Sequence, residues 1–196
     1  GNRYFEGLFK SQGIDFCALK SSSDYTRFYS KPDHGKPISA LIASGKWCTL
    51  EPMREVYSFI AQHYKHGGTV AVAPYYSFGA RIAGENLGIP LATLVLLPYE
   101  LRSIFKSPVL PKPLFLCDWI PRILKRFQFW VMDRFVVDRI LGPETNRFRK
   151  ELGLPEIKRF LNGWCFSNDR VIGLFPNWYA PAQPDWPQNI LLSDFP

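Results

Sequence analysis

The chain has 196 residues and a net charge of +7; it is 46% apolar and 21% charged. Such usage is ordinary for a globular domain and excludes wholesale disorder. No apolar run approaches the roughly 18 residues of a membrane-spanning helix, which excludes an integral helical membrane protein.

The elements follow in chain order. Residues 3–12 place Tyr4, Phe5, Leu8 and Phe9 on one helical face, and Gly13 is a natural stop. Ile14–Leu19 reads as a short strand, and the Ser-, Asp- and Pro-rich residues 21–37 as a loop. A helix is expected over 51–64, with Pro52 in its first turn and Met53, Val56, Tyr57, Ile60 and Tyr64 at helical spacing. Thr69–Ala73 is a run of small apolar residues, as in a strand covered on both faces. Residues 77–87 read as a helix with Ser77 as N-cap and Gly88 as stop. Leu91–Leu97 is a second fully buried strand. Strand, helix, strand with tight loops implies parallel neighbours and a right-handed crossover. A Pro-rich loop with Pro108, Pro111 and Pro113 precedes a long amphipathic helix over 119–141. Ile120, Ile123, Leu124, Phe127, Trp130, Val131 and Phe135 share one of its sides. Pro143 is expected to start another helix, closed by Gly153 and Pro155. Val171–Phe175 is a third buried strand and Asn189–Leu192 a fourth. The fold class is α/β, a Rossmann-like parallel sheet with flanking helices, expected to lack its first strand.

The positive charge is concentrated. Residues 102–139 carry a net +5, against +2 before and zero after. A basic surface facing an anionic partner or membrane fits this better than a nucleic-acid coat. An ordinary helix with its Arg and Lys in water fits equally, and is the commoner arrangement.

The four cysteines, Cys17, Cys48, Cys117 and Cys165, have no C-x-x-C spacing. A zinc knuckle and a thioredoxin-type motif are excluded, and they read as reduced, mostly buried thiols of a cytosolic protein. The first methionine is Met53, so the chain is expected to begin inside a longer protein. No dinucleotide fingerprint, phosphate loop or nucleophile elbow is present. His63 and His66 form an H-x-x-H pair at a helix end. A solvated cap is the favoured reading because no third metal ligand stands out. His34, in a Pro/Gly loop, reads the same way.

Topology offers a site. In open parallel sheets, ligands bind outside the carboxyl ends of the strands. Three such ends open into Pro74-Tyr75-Tyr76-Ser77, Pro98-Tyr99-Glu100 and Pro176-Asn177-Trp178-Tyr179. The candidate ligand contacts are Tyr75, Tyr76, Ser77, Pro98, Tyr99 and Trp178, lining an aromatic cleft for a planar, greasy or sugar-bearing ligand. Packing of each aromatic over its own loop is the competing reading. Glu85, late in its helix, is expected at the surface. Glu100 is the acid placed to touch a ligand hydroxyl. No catalytic residue is nameable.

Several segments resemble the N-terminal, acceptor-binding domain of GT-B-fold glycosyltransferases, in the branch of sterol glucosyltransferases and macrolide and glycopeptide glycosyltransferases. Asn2–Leu19 resembles the family's second helix and strand. Ala83-Gly84-Glu85-Asn86-Leu87-Gly88-Ile89-Pro90 is similar to its "AE-x-LGIP". Leu97-Pro98 followed by Phe105–Pro111 is similar to its Pro-rich loop. Asn146–Pro155 resembles "N-x-x-R-x-x-L-G-L-P", and Leu174–Phe175–Pro176 through Pro184–Pro187 to Phe195-Pro196 its closing strand and turn.

The resemblance implies that residues 1–196 are a partial acceptor domain, one half of a GT-B fold. The nucleotide-sugar domain and the loop bearing the usual His base would lie outside it. The implied parent is a hexosyltransferase acting on the hydroxyl of a lipid, sterol or other hydrophobic acceptor. This chain alone is expected to be inactive, to hold no cofactor or metal, and to be cytoplasmic with peripheral membrane contact. Two departures are visible: Ala73-Pro74-Tyr75 stands where some members have an orienting Asp, and Asp194 where Gly usually precedes Phe-Pro. The rival is a non-enzymatic α/β module, complete as it stands, binding an aromatic or lipid ligand.

Overall fold

The computed structural model describes residues 1–19, 23, 26, 30, 42–106 and 119–196. They fall into two compact units, Gly1–Ser44 and Gly45–Pro196. In the first, the Asn2 side chain accepts the Tyr4 N–H at 2.9 Å and caps a 3-10 turn over Arg3–Phe5. Helix α1 (Glu6–Ser11) follows. It stops at Gly13, whose φ of +68° lets the Ile14 N–H reach the Phe9 carbonyl at 3.1 Å. Residues 14–18 form no strand, contrary to the short strand expected over Ile14–Leu19. Leu19 donates instead to the Gly1 carbonyl at 2.8 Å, so an isolated contact replaces a sheet ladder.

The second unit carries α2 (Met53–His63), β1 (Ala71–Pro74), α3 (Phe78–Leu87), β2 (Leu91–Val95), α4 (Arg122–Met132), α5 (Asp138–Glu151), β3 (Arg170–Gly173) and β4 (Ile190–Leu192). The architecture is mixed α/β. All four strands are parallel, in the order β1-β2-β3-β4. The register runs Ala73↔Thr93↔Val171↔Ile190 across the sheet. A strand order that advances in one direction, with right-handed crossovers, returns every connection on the same face.

One face is accordingly packed. Ala73, Leu91, Val95 and Val171 are buried with Phe78, Ala80 and Ile82 of α3 and Leu141 and Phe148 of α5. Burial of each large side chain stabilises by about 1.5–3 kcal/mol. On the opposite face the edge strands are open, with Val72 59% exposed and Leu191 facing solvent, while Ala92, Leu94 and Ile172 of the two central strands are half-buried. The expectation of strands buried on both faces therefore fails at β1, whose Val72 is exposed, and is met only in part at β2, whose second face is half-buried. β1 is an edge strand, and β2 ends at Val95 with Leu96 and Leu97 exposed.

Close approach fixes the α2–α3 pair. A Cβ on Gly79 would lie 2.2 Å from the Met53 carbonyl oxygen, so only glycine fits. Tyr57 donates to the Asn86 side chain at 2.7 Å across the same contact. Ser77 occupies the N-cap position of α3, but its side chain makes no capping bond, contrary to the sequence expectation.

Pro143 does not start a helix. It lies inside α5, and helical structure runs from Arg122 to Glu151 through a π-helical turn over Asp133–Val137. A proline there removes one backbone bond. Thr145 Oγ1 donates to the Leu141 carbonyl at 2.6 Å, and burial of Leu141 and Phe148 holds the helix together across the gap. Of the three described cysteines only Cys165 is buried, so the thiols are not mostly internal. Cys117, His34 and the prolines at 108, 111 and 113 lie outside the described residues.

Candidate functional site

Parallel strands bring all four carboxyl ends to one edge. After β1 the chain turns tightly, the Ser77 N–H donating to the Pro74 carbonyl at 2.9 Å. That turn projects Tyr75 and Tyr76, whose rings meet edge to face at 5.4 Å. Tyr75 also stacks on Phe166 at 6.1 Å and is half-buried. Burial, reinforced by the charge of Glu100, pushes its phenol above the ordinary range.

After β2, Pro98 opens a 3-10 turn over Pro98–Glu100. Glu100 folds back and accepts the Leu96 N–H at 2.9 Å. Burial raises its carboxyl above the usual range, against the lowering effect of the Leu96 and Leu97 amides. Tyr99 points into solvent. After β3, the Tyr179 N–H donates to the Pro176 carbonyl at 3.0 Å. Trp178, 78% exposed, lies edge-on to Tyr179 and to Phe195, each at 6.1 Å.

The six predicted contacts thus form two groups on one edge. Tyr75, Tyr76, Ser77, Pro98 and Tyr99 sit at the adjacent ends of β1 and β2. Trp178 sits at the end of β3, two strands from β1, a separation of about 10 Å at the usual strand spacing. Phe195, just beyond β4, extends the aromatic row and was not singled out in the sequence. The exposed faces of Tyr99 and Trp178 offer stacking surfaces to a planar or sugar-bearing ligand.

A cavity of about 1020 Å³ lies elsewhere. It is bounded by α4 and by Ser167, Asn168, Gln188 and Asn189, which precede β3 and β4, so it opens toward the amino ends of those strands. None of the six predicted contacts lines it. Arg102 bridges to Asp133 within it, and Asp185 accepts from Ser103 Oγ at 2.7 Å and the Ile104 N–H at 2.8 Å. Burial raises the Asp133 carboxyl although Arg102 opposes the shift. Trp186, 7% exposed, lines the cavity, and its indole N–H has no acceptor among the described residues. In the sequence Pro184-Asp185-Trp186-Pro187 signals a turn by residue type, and nothing local in it points to a cavity.

Glu85 is not the surface acid expected. Its carboxylate accepts from Arg149 and, at 2.8 Å, from the Trp164 indole, with Arg81 3.2 Å away. His63 Nδ1 bonds the Phe59 carbonyl at 2.8 Å, and His66 Nδ1 pairs with the Tyr64 hydroxyl at 2.8 Å. Among the described residues no group of three or more His, Cys, Asp or Glu is placed to hold a metal ion. Among them, too, no helix is long and apolar enough to cross a membrane. No protein-family model matches the chain, and no curated protein matches it.

Proposed function

We propose that this chain is the acceptor-binding half of a GT-B-type glycosyltransferase, cytoplasmic and specific for a hydrophobic hydroxyl compound. The observation that carries this reading is the row of Tyr75, Tyr76, Tyr99 and Trp178 at the carboxyl ends of three adjacent parallel strands. Ligands of open parallel sheets bind at that edge. The motif resemblance supports it as well: Glu85 and Arg149, one from each of two motifs, pair directly.

In this reading a lipid, sterol or phenolic acceptor lies across Tyr99 and Trp178 with its hydroxyl toward Glu100. The nucleotide sugar binds a separate domain. The acceptor oxygen attacks the anomeric carbon, its proton passes to a base, and the nucleotide diphosphate leaves. This chain alone contributes acceptor contacts and no turnover.

Equilibrium binding tests it. Sterol, phenol and macrolide acceptors are titrated into the chain by calorimetry, with UDP- and dTDP-sugars as comparison. Acceptors are expected to bind and the sugar nucleotides not. Tyr99→Ala and Trp178→Ala each remove about 1–3 kcal/mol of aromatic contact, lowering acceptor affinity roughly 5- to 150-fold. Sugar-nucleotide binding without acceptor binding would overturn the assignment.

The cavity beside α4 favours a second reading, a non-enzymatic module that binds an aromatic or lipid ligand there. Acceptor binding that is unchanged in Trp178→Ala but lost in Trp186→Phe would select it.

A further inference from the structure

The apolar stripe of helix α4 and its flanks is exposed. Large apolar side chains recur at Ile123, Phe127 and Trp130, a spacing that makes one stripe along α4, and Trp119 stands in the turn before it. A stripe of this kind ordinarily packs into the core. Here Trp119 is 82% exposed, Ile123 76% and Phe127 59%, and Leu124, Trp130 and Phe135 face solvent with them. The fully buried side chain of α4 is Lys125, at 1%. Phe127 and Trp130 stack at 5.8 Å, and Trp130 meets Phe135 edge to face at 6.1 Å. The surface therefore carries an assembled aromatic row.

Arginines dominate the outer side of the row, while the acids near it, Asp133, Asp138 and Asp185, lie on the wall of the cavity that Ile123, Phe127 and Trp130 also border. Arg122, Arg126 and Arg134 flank the row. Arg122 lies over the Phe105 ring at 4.3 Å, and Arg126 and Arg134 make no ion pair among the described residues. The single acid between 119 and 137, Asp133, is buried against Arg102.

We propose that this face docks on an anionic phospholipid bilayer. The aromatic row enters the interface between headgroups and acyl chains, and the arginines hold headgroup phosphates. Exposed Trp and Phe beside unpaired arginines is the composition such an interface selects. A second copy of the chain is a poor occupant, since it would set Arg126 and Arg134 against their own kind. The row runs lengthwise along one side of Arg122–Met132, so this segment lies in the membrane plane when the row is inserted. Docking does not depend on sugar transfer or on the aromatic edge of the sheet.

Vesicle co-flotation of the full chain tests this. Phosphatidylcholine vesicles are compared with vesicles containing a quarter phosphatidylglycerol, in 0.1 M and 1 M NaCl. The chain is expected to float with the anionic vesicles, to bind neutral ones at least tenfold less, and to detach at 1 M salt, where screening shortens the Debye length to about 3 Å. The double variant Ile123→Asp/Phe127→Asp and the single Arg126→Glu should each lower partitioning at least fivefold. Both sets of side chains are exposed, so circular dichroism and melting should stay unchanged. Lys65→Glu, an equal charge change on an exposed residue elsewhere, is the control and should bind as the parent does. Absence of flotation at 0.1 M salt overturns the proposal. So does equal loss in Lys65→Glu and Arg126→Glu, which would mean unspecific attraction. A dimer seen by sedimentation velocity and abolished by Ile123→Asp/Phe127→Asp would assign the face to a second copy and also overturn it.

Discussion

Arg149 of α5 donates to the carboxylate of Glu85 of α3, and the two side chains are enclosed together. The Trp164 indole donates to the other carboxylate oxygen at 2.8 Å. Arg149 also donates from Nε to the Pro155 carbonyl at 2.9 Å, and Arg81 from Nε to the Trp164 carbonyl at 2.8 Å. Two helices, the turn after α5 and the π-helical turn over Phe160–Trp164 are thereby tied to one carboxylate. Glu85 belongs to the segment that resembles "AE-x-LGIP" and Arg149 to the one that resembles "N-x-x-R-x-x-L-G-L-P". Their contact gives both motifs an architectural meaning.

The first prediction follows from that enclosure. Arg149→Met leaves Glu85 with less compensation in a site shielded from water, and should cost about 3–5 kcal/mol of stability. Glu85→Gln keeps an oxygen for the Trp164 indole but leaves the buried Arg149 and Arg81 without their carboxylate, and should cost about as much. Urea unfolding of the two single variants and the double variant measures the coupling. The double should be milder than the sum of the singles, because Arg149 and the carboxylate that it compensates go together; Arg81 keeps its bond to the Trp164 carbonyl in either case. Additive losses would mean that the pair is not the unit of stabilisation.

A second prediction concerns Gly79. Its added methyl would meet the Met53 carbonyl at 2.2 Å and Val56 Cβ at 2.9 Å, and helix backbone yields little. Gly79→Ala gains helix propensity but must push α2 from α3, a net loss of about 1–3 kcal/mol. The melting temperature should fall by several degrees. Gly142→Ala, where the nearest atom is Phe160 Cε2 at 3.4 Å, serves as the tolerant comparison. A rise in stability for Gly79→Ala would refute the tight crossing.

Much of the α/β frame was legible in the sequence, and the reason is local. Small apolar runs such as Thr69–Ala73 and Leu91–Leu97 mark strands, and Gly88 and Gly153, both with positive φ, mark helix ends. What escaped was non-local. Periodicity states that Ile123, Phe127 and Trp130 share a face, but which face is covered depends on partners distant in sequence. Here Lys125 took the inside. Pro143 reads as a helix start by its own preference, yet Leu141 and Phe148 carry the helix through it. Glu85 looked exposed because its partner, Arg149, is 64 residues away. At the proposed edge, the loop aromatics were readable by type and topology. Phe195 was not, because its ring joins the row only once β4 pairs with β3.

A third prediction separates the cysteines. Burial pushes the Cys165 thiol up to about 12, whereas Cys17 is exposed. At pH 8 a thiol of that pKa holds roughly one thiolate in ten thousand molecules, and the thiolate is the nucleophile. Native protein treated with iodoacetamide should be labelled at Cys17 and spared at Cys165, as peptide mass mapping would show. Addition of 6 M urea should make both react. Rapid native labelling of Cys165 would contradict its burial.

The last prediction turns on Glu100. Burial raises its carboxyl above the 4.5 of the free side chain, so the native state holds this proton more tightly than the unfolded chain. Between pH 4.5 and the raised native value the native state binds more protons. Stability contributed by this group is then fully present below pH 4.5 and is lost as pH rises through the native value. The slope for one proton is at most about 1.4 kcal/mol per pH unit, and solvent around the half-exposed side chain keeps the effect below that ceiling. Glu100→Gln removes the titration while keeping an oxygen for the Leu96 N–H. The wild type should therefore lose stability relative to Glu100→Gln as pH climbs above 4.5, and the two curves should run parallel below it. Urea unfolding from pH 3.5 to 8 reads the difference directly. A wild type that gains on Glu100→Gln with rising pH would mean that the backbone amides, which favour the charged form, outweigh burial.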